Sequence, residues 1–196
     1  MAKKTKAPRR GRRQAFESLT LEEVRRLIRS TDRIEIRALF ELALTTGMRR
    51  EDIAKIDRHR IDFKKAHLEF WEKKKKRNWR VFLEPDVVAT LRMYVRTLPK
   101  SQRELFDFTG RTAYNYLQTY LRAAGIDKHI RFHDMRTTFI RLSRKMGREV
   151  KYVMQQTGDS AEVILEHYDY LSDEEMHEIT NNGILRKAEE TNGGGP

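Results

Sequence analysis

The chain has 196 residues, which suits one substantial domain or two small ones, and one domain is the simpler expectation. Hydrophobic residues make up 38% and charged residues 36% of the chain, a balance that excludes wholesale disorder and allows a core beneath a charged surface. The sequence has no apolar run near the roughly 20 residues of a membrane span and no apolar secretion signal. It also has no cysteine, which excludes disulfides and cysteine nucleophiles. We therefore expect a globular, cytoplasmic protein without a membrane partner.

The charge of the chain indicates a polyanionic partner. Lys and Arg outnumber Asp and Glu by 41 to 29, which gives a net charge of +12 and a pI near 10.0, and nucleic acid is the first candidate. Seven of the positive charges lie within the first 13 residues, with no acid among them. Such a segment is typical of a flexible arm that lies along phosphates, although a solubilising tail is the simpler alternative. The remaining chain keeps a charge of +5, which favours contact with DNA.

Capping residues and hydrophobic periodicity predict helices in the first 60 residues. A helix begins at Thr20, because Thr20 and Glu23 form a capping box. A second helix runs over about residues 32–46 and ends at Gly47, which is suited to a C-terminal cap. A short third helix follows over residues 49–56.

Between residues 60 and 83 the apolar period changes from that of a helix to that of a strand. Apolar side chains there alternate with polar ones in two runs, at Leu68 and Phe70 and then at Trp79, Val81 and Leu83. The polar run at residues 73–78 joins them. This pattern predicts a β-hairpin with a basic tip.

The rest of the chain has helical periodicity. A helix begins at Pro85 and ends before Pro99, and we expect its buried stripe to be Val88, Leu91, Val95 and Leu98. Further helices are predicted over residues 111–124, 132–146, 148–156 and 160–171, and a capped segment begins at Ser172. The predicted fold class is therefore mainly α with a small antiparallel β-sheet (α+β).

Arg49 stands at the start of the third predicted helix, two residues after Gly47. The N-terminus of a helix presents unpaired N–H groups, and an arginine fork adds bidentate hydrogen bonds, so a phosphate could bind there. Taken alone, the simpler interpretation is a surface ion pair between Arg49 and Asp52.

Three later residues are also candidates for chemistry. His133 and Arg136 are three positions apart on a predicted helix, where both side chains can reach one anion. Taken alone, His133 suits a structural hydrogen bond, its neighbour Asp134 suits a surface salt bridge, and Tyr168 suits a half-buried core position. The order and separation of all these segments are more specific than any one of them.

In this order the segments resemble the catalytic domain of the tyrosine recombinases, the family of phage and plasmid integrases and chromosome-dimer resolvases. The family's Thr-Gly-x-Arg-x-x-Glu stretch is similar to residues 46–52, and its basic hairpin lysine falls within residues 73–76. Its His-x-x-Arg box matches His133 and Arg136. Its nucleophile falls on Tyr168, which lies 32 residues after Arg136, a separation similar to that in the family.

The resemblance covers roughly residues 19–171 and implies the tyrosine recombinase catalytic-domain fold. We expect a basic flexible arm at 1–18, the catalytic domain at 19–185 and a flexible tail at 186–196. Family members usually carry a separate helical DNA-binding domain before the catalytic domain. Here either the chain is a fragment or the basic arm replaces that domain. An integrase of an archaeal virus or plasmid is one candidate within the family.

The resemblance implies a metal-independent DNA recombinase. Tyr168 would attack the scissile phosphate to form a 3′-phosphotyrosyl bond, while Arg49 and Arg136 would hold the non-bridging oxygens. Lys74 would protonate the 5′-oxygen, and His133 would assist proton transfer at the tyrosine. Because the covalent bond stores the energy of the broken strand, no ATP, metal or other cofactor is implied. The implied partners are double-stranded DNA and further copies of the chain, four protomers in all.

Some assignments stay open. Counting back along the sequence from Val81 favours Lys74 as the hairpin lysine, whereas counting forward from Ile61 gives Lys73. Tyr170 is a rival to Tyr168 for the role of nucleophile. Where the family usually has a second histidine, this chain has Asp159, an acid that would repel phosphate and would also make a good helix N-cap.

Three other functions compete with recombination. One is a DNA-binding protein on the same scaffold that does not cleave, and Asp159 favours it. Another is a type IB topoisomerase-like enzyme, which relaxes DNA without synapsis. A metal-dependent nuclease is least favoured, because the pairs His133 with Asp134 and His167 with Asp169 do not form a convincing carboxylate cluster.

Overall fold

A computed structural model describes residues 17–166 of the protein. Its helices are α1 (Leu21–Arg29), α2 (Ile34–Thr46), α3 (Arg50–Ile53), α4 (Pro85–Thr97), α5 (Gly110–Ala123), α6 (Phe132–Lys145), α7 (Val150–Thr157) and α8 (Ala161–Glu166). A 3-10 turn at Arg58–Arg60 precedes three strands, β1 (Ile61–Asp62), β2 (His67–Glu72) and β3 (Arg77–Phe82). The predicted class, mainly α with a small antiparallel sheet, is confirmed. Tyr168, Tyr170, the segment from Ser172 and the predicted tail lie outside the described residues, as does most of the predicted arm.

The capping box predicted before α1 and the glycine cap predicted after α2 are both present. The Thr20 hydroxyl accepts from Glu23 N at 3.2 Å, and the Glu23 carboxylate accepts from Thr20 N at 2.7 Å, which completes the capping box before α1. Gly47 ends α2 with φ 64°, a left-handed conformation that glycine adopts without a Cβ penalty. The third helix ends at Ile53, three residues earlier than predicted.

The sheet has the order β1-β2-β3, with both neighbouring pairs antiparallel. In the hairpin Leu68 pairs with Val81, and Glu72 pairs with Arg77 at the last rung. The turn is therefore residues 73–76, two residues shorter than the predicted tip, because Arg77 and Asn78 continue the ladder.

The prediction of which residues of α4 are buried is wrong in part. Leu91 is buried as predicted, but its buried neighbours on the helix are Val87, Thr90 and Tyr94. Val88, Val95 and Leu98 are only partly buried, at the flanks of the core. Apolar residues occur on both sides of the true stripe, so periodicity alone chose a face rotated by about one residue.

The core is centred on α2, which packs against α4 and α6. Nine of the thirteen residues of α2 are buried, which leaves this helix no solvent face along most of its length. At its end Gly47 touches α6 so closely that a Cβ would lie 2.6 Å from Phe139 Cδ1. This contact holds the chain that leaves α2 beside α6, three residues along that helix from Arg136.

Candidate active site

Arg136 is held inside the fold by backbone carbonyl groups. Its side chain is only 5% exposed, and its guanidinium donates to the carbonyl oxygens of Gly47 and, at 2.9 Å, of Thr157. Its Nε donates to Asp159 Oδ2 at 3.1 Å. Desolvation lowers the pKa of Arg136, while the Asp159 carboxylate opposes this shift. The two carbonyls stand at the ends of α2 and α7, so the packing of those helices sets the direction of this side chain.

Arg49 comes to the same place from the turn between α2 and α3. Its Nη1 donates to Glu72 Oε1 at 2.6 Å, and its Nη2 donates to Asp159 Oδ1 at 2.9 Å. The simpler interpretation, a surface pair with Asp52, is therefore wrong. Asp52 is buried and accepts from Lys73 N at 3.3 Å, and burial raises the pKa of this carboxyl.

Asp159 joins the two arginines through one carboxylate. Oδ1 faces Arg49, whereas Oδ2 lies 2.5 Å from Arg136 Nη2, and the Asp159 side chain is 10% exposed. The left-handed Gly158, with φ 73°, turns the chain so that this carboxylate meets both guanidiniums. The predicted N-cap role of Asp159 is wrong, because the hydroxyl of Ser160 accepts from Val163 N at 3.4 Å in its place.

Glu72 is a site residue that sequence reasoning missed. Its side chain is 1% exposed at the end of β2, where Oε1 accepts from Arg49 and Oε2 accepts from Arg77 Nε at 2.8 Å. The Arg77 guanidinium in turn lies over the Trp79 ring, 3.6 Å from its centroid. The two-residue period of the strand could have indicated that Glu72 is buried, because residue 72 shares the buried face of Leu68 and Phe70.

The hairpin lysines lie beside this cluster. Lys73, Lys74, Lys75 and Lys76 are all exposed in the turn. Lys75 Nζ donates to the carbonyl of Gly158, a contact that sequence reasoning did not foresee. A Cβ on Gly158 would lie 3.0 Å from Arg77 Nη2, so hairpin and turn are in close contact. Within residues 17–166 no hydrogen bond or ion pair holds Lys74, and the choice of the hairpin lysine stays a prediction.

His133 stands at the second position of α6, three residues before Arg136. Its surroundings lower its pKa, first through desolvation and then through the positive charge of Arg136, although the residue as a whole is exposed. The imidazole is thereby kept neutral and able to accept a proton at neutral pH. The first turn of α6 is closed by Asp134, whose carboxylate accepts from Arg131 N at 2.8 Å.

The described part of the chain therefore brings together two arginines, a neutral histidine and a lysine-rich turn around the carboxylates of Asp159 and Glu72. Two guanidiniums that converge on one carboxylate can bind another anion with two oxygens, such as a phosphodiester. The predicted nucleophile Tyr168, with its rival Tyr170, lies outside the described residues. Within residues 17–166 no helix is long and apolar enough to cross a membrane, and no three His, Asp or Glu side chains are grouped as metal ligands.

Known proteins with similar sequences and structures share the fold described above. A profile of the phage integrase family matches residues 17–175. The tyrosine recombinase XerA of Saccharolobus solfataricus is 26% identical over 136 residues, which are 69% of this chain and 46% of that protein. The crystal structure of XerA recombinase gives a TM-score of 0.75 at 19% identity, over 85% of this chain and 64% of that one.

A second structural relative is a lambda integrase tetramer bound to a Holliday junction. It gives a TM-score of 0.62 at 20% identity, over 78% of this chain and 48% of that one. Likeness at this level shows the fold, and it confirms the predicted tyrosine recombinase catalytic-domain architecture. The chain spans about half the length of the curated relative that it matches.

Proposed function

Because this chain belongs to the phage integrase family, we propose that it acts as a site-specific DNA recombinase that cuts and rejoins strands through a 3′-phosphotyrosyl bond. One observation carries the proposal: Arg49 and Arg136, far apart in the sequence, both bind the carboxylate of Asp159. A phosphodiester has the same charge and also presents two oxygens, so it suits the same pair of guanidiniums.

In the proposed reaction Tyr168 Oη attacks the scissile phosphorus and displaces the 5′-oxygen of the next nucleotide. The tyrosine proton passes to His133, and a hairpin lysine, Lys74 in our assignment, protonates the departing oxygen. Arg49 and Arg136 stabilise the charge on the non-bridging oxygens. A 5′-hydroxyl then reverses the same steps on a partner strand, so bonds and protons balance without ATP.

Two features of the described residues support these roles. The lowered pKa of His133 keeps its imidazole neutral and ready to accept the tyrosine proton. The turn at residues 73–76 carries four lysines next to the arginine pair, which supplies proton donors where the 5′-oxygen would depart. The roles of Lys74 and Tyr168 rest on their places in the sequence.

The proposed partner is double-stranded DNA, reached in the cytoplasm at the nucleoid or on a viral or plasmid genome. The net charge of +12 suits this partner. Two relatives of similar fold were solved with DNA, XerH bound to its difH substrate and the lambda integrase tetramer bound to a Holliday junction. By analogy we propose four protomers across two duplexes, each with a basic arm at 1–18, a catalytic domain at 19–185 and a tail at 186–196.

A second candidate is a protein of this fold that binds DNA without cleaving it. The observation that favours it is the position of Asp159, whose carboxylate lies between the two arginines. A carboxylate in that position excludes phosphate unless it moves away. The two candidates agree on DNA binding and differ in whether a covalent bond to DNA ever forms.

The test is to trap that bond. The protein is incubated in EDTA with supercoiled plasmid and with candidate site DNA, and the reaction is quenched with SDS. We expect a protein–DNA adduct that Tyr168→Phe abolishes and Tyr170→Phe, the matched control, retains. Loss of the adduct with Tyr170→Phe alone would reassign the nucleophile, and tight binding to a cleavable site without any adduct would favour the non-cleaving candidate.

A further inference from the structure

We propose that Asp159 is a built-in substitute for phosphate, which holds the two arginines in the free protein and has to leave when DNA phosphate enters. The inference deepens the proposed function and rests on it for the identity of the displacing anion. It assigns Asp159 a positioning role in the free protein and a competing role toward the ligand.

The contacts of the two arginines show why Asp159 and an incoming phosphate compete for one position. The Arg136 Nη1 and Nη2 groups donate to the carbonyls of Gly47 and Thr157, and the bond from Nε goes to Asp159. On Arg49, Nη1 donates to Glu72 and Nη2 donates to Asp159. The Asp159 carboxylate lies against both guanidiniums, with Oδ1 2.9 Å from Arg49 Nη2 and Oδ2 2.5 Å from Arg136 Nη2. It therefore occupies the place from which one anion can reach both arginines, and a phosphate that bridges them needs the same place.

Electrostatics explain why an internal anion is useful before DNA binds. The Arg49 and Arg136 side chains are 13% and 5% exposed, and desolvation, followed by the charge of Arg49, lowers the pKa of Arg136. Two buried cations that face each other without an anion would repel and would be poorly hydrated. Glu72 supplies one negative charge beside Arg49. Asp159 supplies a second and keeps both guanidiniums pointed at one place, so the incoming phosphate meets a formed site.

The position of Asp159 in the chain suits an exchange of anions. It stands in the short connection between α7 and α8, one residue after the left-handed Gly158. Its backbone N–H donates to the Thr157 hydroxyl at 3.2 Å, so the carboxylate can rotate away while the backbone keeps this bond. Arg136 would meanwhile stay on its two carbonyls, and only the ion pairs would change.

The test measures inorganic phosphate binding to the full chain by calorimetric titration, with chloride added to keep ionic strength constant. Asp159→Asn and Asp159→Ala remove the internal anion, and we expect each to bind phosphate about tenfold tighter than the parent. Glu162→Gln is the matched control, because it removes an exposed negative charge three residues later. It should change the phosphate affinity by less than about twofold. Adding Arg49→Gln to Asp159→Asn should abolish the gain.

Equal phosphate affinity in the parent and in both Asp159 variants would overturn the proposal, as would an equal gain in Glu162→Gln. A gain that persists with Arg49→Gln would place the phosphate elsewhere and would also overturn it. If both Asp159 variants are unfolded in chloride, refolding in phosphate supports the exchange and failure to refold contradicts it. The titration needs neither DNA nor Tyr168. If the parent forms no DNA adduct while both Asp159 variants gain phosphate affinity, the recombinase function alone is contradicted.

Discussion

The two arginines of the candidate site are held in different ways. Arg136 is bound by two backbone carbonyls as well as by Asp159, whereas the partners of Arg49 within residues 17–166 are the carboxylates of Glu72 and Asp159. Carbonyls at helix ends move only if the helices move, but carboxylates can rotate or exchange partners. The α6 side of the site is thus part of the folded core, and the hairpin side is assembled by ion pairs.

The first prediction compares the two arginines by removing each one. Arg136→Ala should lower the free energy of unfolding by about 3–5 kcal/mol, because it leaves two buried carbonyls without their donor and leaves Asp159 with Arg49 alone of its two arginine partners. Arg49→Ala should cost about 2 kcal/mol or less, since Glu72 keeps Arg77. Urea denaturation followed by circular dichroism measures both. Equal losses would show that the two sides of the site are held alike.

Glu72→Gln tests the ion pairs on the hairpin side. The neutral amide still accepts one hydrogen bond but leaves Arg49 or Arg77 partly uncompensated, so we expect a loss of about 2 kcal/mol in the free energy of unfolding. Glu69→Gln is the control on the same strand, because Glu69 pairs with Arg80 on the exposed face, where solvent screens the charges, and its loss should be much smaller. A loss at Glu72 no larger than at Glu69 would contradict a structural role for the buried pair.

Alanine substitutions at two glycines with left-handed backbone distinguish the cost of backbone strain from the cost of crowding the hairpin. Gly147 and Gly158 have φ angles of 75° and 73°, but a Cβ at Gly147 meets nothing within 4 Å, whereas one at Gly158 would crowd Arg77 and Glu72. Gly147→Ala should cost about 1 kcal/mol from the left-handed backbone alone. Gly158→Ala should cost about 1 kcal/mol more. Thermal unfolding of the two variants, measured side by side, tests the contact, and equal costs would argue against it.

The smallest expected effect is the pH dependence that His133 adds to stability. Its pKa is lower in the folded protein than in the unfolded chain, so both states carry a neutral imidazole above about pH 6.5. As the pH falls below that value the unfolded chain takes up the proton first, and stability decreases until the folded pKa is passed. His133→Gln should therefore flatten the decline in unfolding free energy below pH 6.5. An unchanged profile would mean that His133 has the same pKa in both states.

Local signals in the sequence were sufficient for several parts of this site. Gly47 marked the end of α2 and so placed Arg49 at the following turn, and the spacing of His133 and Arg136 put both at the start of α6. These features depend on neighbours within about four residues, where helix and cap chemistry is fixed by sequence. Simple alternation likewise predicted the two strands and the shared face of Leu68 and Phe70, whereas the pairing of Leu68 with Val81 depends on the shorter turn that the structure shows.

Other parts depend on partners that are distant in sequence. Asp159 suits an N-cap by its position, but Arg49, 110 residues away, makes the ion pair that decides its orientation. From the sequence Glu72 is simply a polar residue at the end of a strand. The strand register places it opposite Arg77, and its carboxylate accepts a hydrogen bond from Arg49. Lys75 reaches Gly158 because of the turn geometry, which counting along a run of four lysines cannot distinguish. Burial and long-range charge, rather than periodicity, determine these three roles.

The most direct test of the account is whether DNA chemistry depends on the arginine pair. We would measure the rate of SDS-resistant adduct formation on a cleavable site in EDTA for the parent, Arg49→Gln and Arg50→Gln. Arg50 is the adjacent, more exposed arginine, which pairs with Glu51 outside the cluster. The account predicts a loss of at least about 100-fold for Arg49→Gln and a nearly unchanged rate for Arg50→Gln. An adduct that needs Tyr168 but forms at the parent rate in Arg49→Gln would contradict it.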